Sequence, residues 1–149
     1  MTTNNNNAKI IDLIEVLNGN QNIEVTNTER LNRFLCFGGD VDSVNEYNET
    51  LLHEVAKSGD IETAKYLIEK GANVNAIDLE GETALMYAVR SNNKKMVKLL
   101  NDANADGFAK DFSGRDIFTI ARDELITTNP SSSYFEMMQL LRSCLYAYN

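Results

Sequence analysis

One histidine, His53, occurs in the 149 residues, so it is the first side chain to weigh for acid–base chemistry. A catalytic imidazole needs a nucleophile or a carboxylate held at a defined geometry, and no spacing in the chain reveals such a set. The two cysteines, Cys36 and Cys144, form no Cys-x-x-Cys pair. Zinc requires three or four converging ligands, which one histidine and two distant thiols supply poorly. Cys36 ends the apolar run Leu31-Asn32-Arg33-Phe34-Leu35-Cys36-Phe37, where Arg33 is the only nearby cation. A reactive thiolate needs more positive surroundings, so packing is the expected role of Cys36, and Cys144 is expected to be the more exposed thiol. Gly38-Gly39 follows a helical pattern instead of opening one, and no Gly-Lys-Ser/Thr is present, so these are turn glycines and not a phosphate cradle. Asp40/Asp42 and Asp111/Asp116 fall in loops, where solvation is expected over a glycosidase-type pair. Asp40-x-Asp42 also lacks the rest of a calcium loop. The chemistry-bearing residues therefore predict no catalytic residue, no metal and no cofactor.

Composition narrows the alternatives. An apolar fraction of 43% allows a hydrophobic core within one domain. The net charge of −8 opposes binding to a phosphate backbone or to an anionic membrane surface, and suits a basic or mixed-charge protein partner. No apolar run approaches the ~20 residues that span a bilayer. Met1 to Asn7 is polar and Asn-rich, without the basic start and apolar stretch of a signal peptide, so a cytoplasmic location is expected.

The elements that must position these residues recur. At a shift of 33 residues, Asn45-Glu46-Tyr47-Asn48-Glu49-Thr50-Leu51-Leu52-His53-Glu54-Val55-Ala56 overlies Asp78-Leu79-Glu80-Gly81-Glu82-Thr83-Ala84-Leu85-Met86-Tyr87-Ala88-Val89. A second shift of 33 brings Asp111 to Arg122 into the same frame, and Gly38-Gly39-Asp40-Val41-Asp42 lies under Gly71-Ala72-Asn73-Val74-Asn75. The frame runs without gaps from residue 29 to 122. Its mismatches preserve geometry. Thr50, Thr83 and Asp116 are all types that can accept a helix N-cap hydrogen bond, while Gly59 and Gly71 give way to Asn92 and Asn104, the residue type that best tolerates positive φ after glycine.

With Thr50-Leu51-Leu52-His53-Glu54-Val55-Ala56, then Gly59-Asp60 and Leu67-Ile68-Glu69-Lys70-Gly71-Ala72-Asn73, the chain resembles the ankyrin-repeat family over residues 29 to 146. The resemblance implies an all-α solenoid of helix-turn-helix units joined by β-hairpin-like loops. It also implies that His53 hydrogen-bonds loop groups and ties neighbouring units together. The signature proline is absent, being Leu51, Ala84 and Ile117, and the signature histidine becomes Met86 and Thr119 in later copies. Leu51, Leu52, Val55 and Ala56, then Ile61, Ala64, Leu67 and Ile68, are the expected inward faces of one unit.

Both ends are irregular. Residues 1–7 read as a disordered polar tail and 8–43 as an atypical N-terminal capping repeat. Within it, Ala8 to Leu17 is an amphipathic helix and Asn18 to Thr28 an enlarged loop. Residues 44–76 and 77–109 are regular repeats, and 110–149 a C-terminal capping repeat enlarged at Thr127 to Ser133. Aligning Leu141 with Leu100 points Phe135, Met138, Leu141 and Leu145 of the last helix inward. Tyr134, Met137, Cys144 and Tyr148 are left on other faces. That second set is either covered by another part of the chain or forms an end-on contact, giving a weak homodimer or a second binding surface.

The resemblance implies that partners bind the concave face, made of hairpin tips and the open side of each first helix. Carried onto this chain, the tips are Glu46 and Tyr47, Leu79 and Glu80, and Phe112 and Ser113. The helix positions are Glu54, Lys57 and Ser58, then Tyr87, Arg90 and Ser91, then Ile120, Asp123 and Glu124. Tyr47, Leu79 and Phe112 place apolar groups where solvated residues are the norm, and Tyr87 and Arg90 are types enriched at binding hot spots. The expected function is a non-enzymatic protein-interaction module, an adaptor or inhibitor. The alternative is an accessory or targeting subunit, or a host-directed effector component, of an enzyme complex.

Overall fold

The computed structural model of the chain describes residues 26–128 and 133–146. The expected tail at 1–7 and helix at 8–17 lie outside these residues. Seven described helices follow one another: α1 (Asn27–Cys36), α2 (Leu51–Ser58), α3 (Ile61–Glu69), α4 (Ala84–Arg90), α5 (Lys94–Asp102), α6 (Ile117–Thr128) and α7 (Ser133–Tyr146). They stack in two rows, α2–α4–α6 and α1–α3–α5–α7, and each first helix packs on the second helix that follows it. The loops before α2 and α4 are closed by single antiparallel bridges, Val44 to Thr50 and Ile77 to Thr83.

Local chemistry explains the boundaries. Asp116 Oδ1 accepts from the Thr119 N–H at 2.9 Å, and Thr83 Oγ1 from the Met86 N–H at 3.4 Å. Thr50 departs from this pattern: its own N–H donates to His53 Nδ1 at 3.0 Å, and its hydroxyl also meets that nitrogen at 2.9 Å. The second helices open on Thr26, Asp60 and Asn93, whose side chains accept from the amides of Glu29, Thr63 and Met96. Helix ends turn through left-handed residues at Gly59 (φ 83°) and Asn92 (φ 53°), and again at Gly71 (φ 87°) and Asn104 (φ 62°). Asparagine thus stands in for glycine where the backbone demands positive φ.

The core repeats with the same period. Leu51, Ala84 and Ile117 are buried in succession, as are Val55, Ala88 and Ala121. Leu52 and Leu85 are buried together, and Leu67 and Leu100 form the matching line on the second row. Burying a side chain of this size contributes roughly 1.5–3 kcal/mol, a gain that no isolated pair of seven-to-nine-residue helices reaches alone. Ile61 and Ile68, expected inward, are half-buried, while Thr63 is buried and bonds to Asp60 through Oγ1 at 2.6 Å.

Four expectations are corrected. Asn27 and Thr28, expected in a loop, belong to α1 behind its Thr26 cap, and the rest of that loop, 18–25, lies outside the described residues. Thr127, Thr128 and Ser133, expected in the enlarged turn, are helical, and the rest of that turn lies outside the described residues. Met137 is buried while Phe135 is exposed. Met137 precedes Leu141 by one turn and takes the place of Met96 as Leu141 takes that of Leu100, whereas Phe135 precedes Leu141 by six residues and falls off that face. Finally, Cys36 is exposed and Cys144 the more sheltered thiol. Leu31 and Phe34 claim the inward side of α1, and Cys36, two residues past Phe34, points away from it.

Candidate protein-binding groove

Each hairpin tip is built around one Asn or Asp that folds the loop onto its own side chain. Asn45 Oδ1 accepts from the N–H groups of Tyr47 and Glu49, both at 2.9 Å. Asp78 does the same for Glu80 and Glu82, and Asp111 for Ser113 and Arg115. Asp111 is buried and pairs with Arg115 Nε at 2.7 Å, so it is not the solvated loop carboxylate expected from sequence. Asn48, Gly81 and Gly114 carry the turn at positive φ. Neighbouring tips are then tied by backbone: the Leu79 N–H donates to the Tyr47 carbonyl at 3.0 Å, and the Phe112 N–H to the Glu80 carbonyl at 2.9 Å. A Cβ on Gly81 would lie 2.8 Å from the Phe112 ring and 2.9 Å from its amide nitrogen, so this approach needs glycine.

These ties hold Tyr47, Leu79 and Phe112 out from the surface, 59%, 63% and 73% exposed. Between the first two tips and the open sides of α2 and α4 lies a groove of about 540 Å³. Seven expected partner-facing residues line it: Tyr47, Lys57, Leu79, Glu80, Tyr87, Arg90 and Ser91. Of the others, Glu46 is exposed beside Tyr47, Glu54 is half-buried and Ser58 exposed on α2, and Phe112 and Ser113 are exposed on the next tip. Ile120 is buried in the core and presents nothing to a partner. Its neighbours Asp123 and Glu124 remain at the surface of α6.

The groove floor carries residues that the sequence reading passed over: Glu49, Asp78 and Glu82. The Tyr87 hydroxyl lies 2.9 Å from Glu49 Oε1 and 2.8 Å from Asp78 Oδ2. Burial, then these two carboxylates, push the phenol far above its ordinary value, so it remains a donor at neutral pH. Glu82 is buried. It accepts from both terminal guanidinium nitrogens of Arg90, Nη1 at 2.7 Å, and from Arg115 Nη2 at 3.3 Å. Hydrogen bonding to Glu82 raises the Arg90 pKa further, and Glu124 approaches Arg90 Nε at 3.7 Å. Glu49 and Glu54 share a hydrogen bond. Burial and then the Glu49 charge raise the Glu54 pKa. Burial also opposes the charge on Glu49, but hydrogen bonds from Asn45, Tyr87 and Glu54 outweigh it and hold Glu49 below its ordinary value. Glu49 therefore keeps its charge at neutral pH. The signal for these residues was present in the sequence, since Glu49 and Glu82 recur 33 residues apart.

His53 is buried behind this floor. Its Nδ1 accepts from the Thr50 N–H, and its Nε2 faces the Glu82 carbonyl at 3.1 Å, which fixes the neutral tautomer with the proton on Nε2. The ring thereby joins two consecutive units. Among the described residues no cluster of His, Cys, Asp and Glu is arranged to hold a metal ion. No described helix is long and apolar enough to cross a membrane.

A family model for ankyrin repeats in three copies matches residues 5–111. The chain belongs to the ankyrin-repeat family. It is 42% identical over 76 residues to the ankyrin repeat and LEM domain-containing protein 1 homolog of Caenorhabditis elegans, covering 50% of this chain and 11% of that protein. Against the transient receptor potential cation channel subfamily A member 1 of Homo sapiens it is 39% identical over 82 residues, 53% of this chain and 7% of the channel. An ankyrin repeat protein of Acanthamoeba polyphaga mimivirus shares 30% identity over 99 residues, 66% of this chain and 57% of that protein. The ankyrin chain thus spans only a small part of the two longer relatives. Ankyrin repeats are in general protein-interaction modules.

Proposed function

We propose that this ankyrin chain binds a partner protein along the groove between its tips and first helices, as a non-enzymatic adaptor or inhibitor. The observation that carries the reading is the set of apolar tips Tyr47, Leu79 and Phe112, exposed on loops that backbone hydrogen bonds hold in place. Apolar groups kept in water by a rigid scaffold lose little entropy on docking. Tyr87 and Arg90, anchored on α4, add the side-chain types that dominate interface energetics. The acidic surroundings favour a basic or mixed-charge partner.

Affinity capture with wild type, a Tyr47→Ala/Leu79→Ala/Phe112→Ala variant and a Lys65→Ala control on α3 tests the proposal. Specific prey should be retained by the control and lost by the triple variant. A folded triple variant that keeps the same prey would falsify the groove reading. Prey that consists of catalytic subunits would move the chain to the accessory-subunit role.

A further inference from the structure

Glu49 and Glu82 occupy the same place in successive repeats, but their surroundings differ. Around Glu82 the chain supplies two guanidinium groups. Arg90, eight residues on, meets both carboxylate oxygens and lies 5.8 Å from the Tyr87 ring centroid, while Arg115, one repeat on, reaches the same carboxylate. The corresponding places around Glu49 belong to Lys57 and to Glu82 itself. Among the described residues no ion pair reaches Glu49: the Lys57 charge acts on it only from beyond contact, and Glu82 is itself taken up by Arg90 and Arg115. Glu49 nevertheless keeps its charge, and it opens into the groove.

We infer that the groove takes an arginine side chain from an extended segment of a partner protein, its guanidinium facing Glu49 beside Tyr47 and Tyr87, in the place that Arg90 and Arg115 fill around Glu82. This deepens the proposed function and rests on the groove being the protein-binding surface. Charge complementarity selects a cation. The flat, weakly hydrated guanidinium fork suits a carboxylate flanked by aromatic rings better than a compact ammonium does. The exposed Leu79 and Tyr47 offer apolar contact to residues on either side of the arginine.

Selection of a random twelve-residue peptide library displayed on phage, using the whole chain as bait, tests this. The expected result is enrichment of arginine at one fixed position. A selected peptide should bind about 10-fold more weakly when that arginine is changed to lysine, or when the bait carries Glu49→Gln, the scale of one lost charge-assisted hydrogen bond. Lys57→Arg, at an exposed position, gives a second bait in case Glu49→Gln does not fold. It installs the counterpart of Arg90 and should weaken the same peptide by occupying Glu49 from within. Peptides selected without arginine, or indifferent to both bait changes, overturn the inference while leaving the groove reading intact if Tyr47→Ala/Leu79→Ala still abolishes them. Failure to enrich any groove-dependent peptide overturns both.

Discussion

At the scale of single residues, His53 joins stability to pH. Burial depresses its pKa below the ordinary value of 6.5, although the hydrogen bond to Glu82 and the charges of Asp78 and Glu49 act the other way. The unfolded chain therefore binds the proton first as pH falls. Stability associated with the neutral ring is present above pH 6.5 and is lost as pH drops through that value toward the folded pKa. Glu54 has the opposite sign, because its raised folded pKa favours the native state at acid pH. The histidine contribution is isolated by subtracting urea-unfolding free energies of His53→Ala from those of wild type. The variant should be less stable by about 1–3 kcal/mol at pH 7.5, through the lost hydrogen bonds, and the gap should narrow toward pH 5. A gap independent of pH would mean that the ring is not held neutral. Because His53 stands behind the groove floor, the folded variant should keep its partner binding.

Elements show how a repeat converts composition into shape. Leu52 and Leu85 occupy matching places on α2 and α4, each nearly inaccessible to solvent. Replacing either by alanine should cost on the order of 2–5 kcal/mol, since neighbouring helices cannot collapse into the space independently. Thermal melting followed by circular dichroism checks this, and an unchanged melting temperature in both variants would contradict the packing. Two left-handed glycines of neighbouring repeats separate strain from contact. Gly71 has open space around the position of a Cβ, so Gly71→Ala should cost about 1–2 kcal/mol for the backbone alone. Gly81→Ala carries the same strain and also displaces Phe112, so chemical denaturation should place it well below Gly71→Ala. The frame of 33 was legible because the exchanges Gly59 to Asn92 and Gly71 to Asn104 keep the backbone while changing the letter. Less was legible at α7, where Leu141 alone fixed the register and one anchor does not determine a face. The groove floor was missed for another reason. Asp78 and Glu82 are charged residue types, which usually mean solvent, and only the fold reveals that loop amides and arginines pull them inward.

Across the whole molecule, stability is a sum of units and the seams between them. One kind of seam is nearly uniform: Asp42 accepts the Asn73 N–H at 2.7 Å, and 33 residues later Asn75 accepts that of Asp106 at 2.8 Å. The acidic seam is not. Glu82 faces Arg115 on one side and Glu49's repeat on the other, so its two neighbours are electrically unlike. Consequently the order of the units matters even where their backbones are interchangeable. An in-frame genetic duplication of residues 77–109 would preserve every cap and left-handed turn, yet the first copy's Glu82 would meet a second glutamate in place of Arg115. Such a lengthened chain should fold with its junction as the weakest point, seen as the earliest loss of amide protection in hydrogen exchange at α4 of the first copy. A protein assembled from near-copies is in this way less free to grow than its geometry suggests, because each insertion must also satisfy a grammar of charge between neighbours.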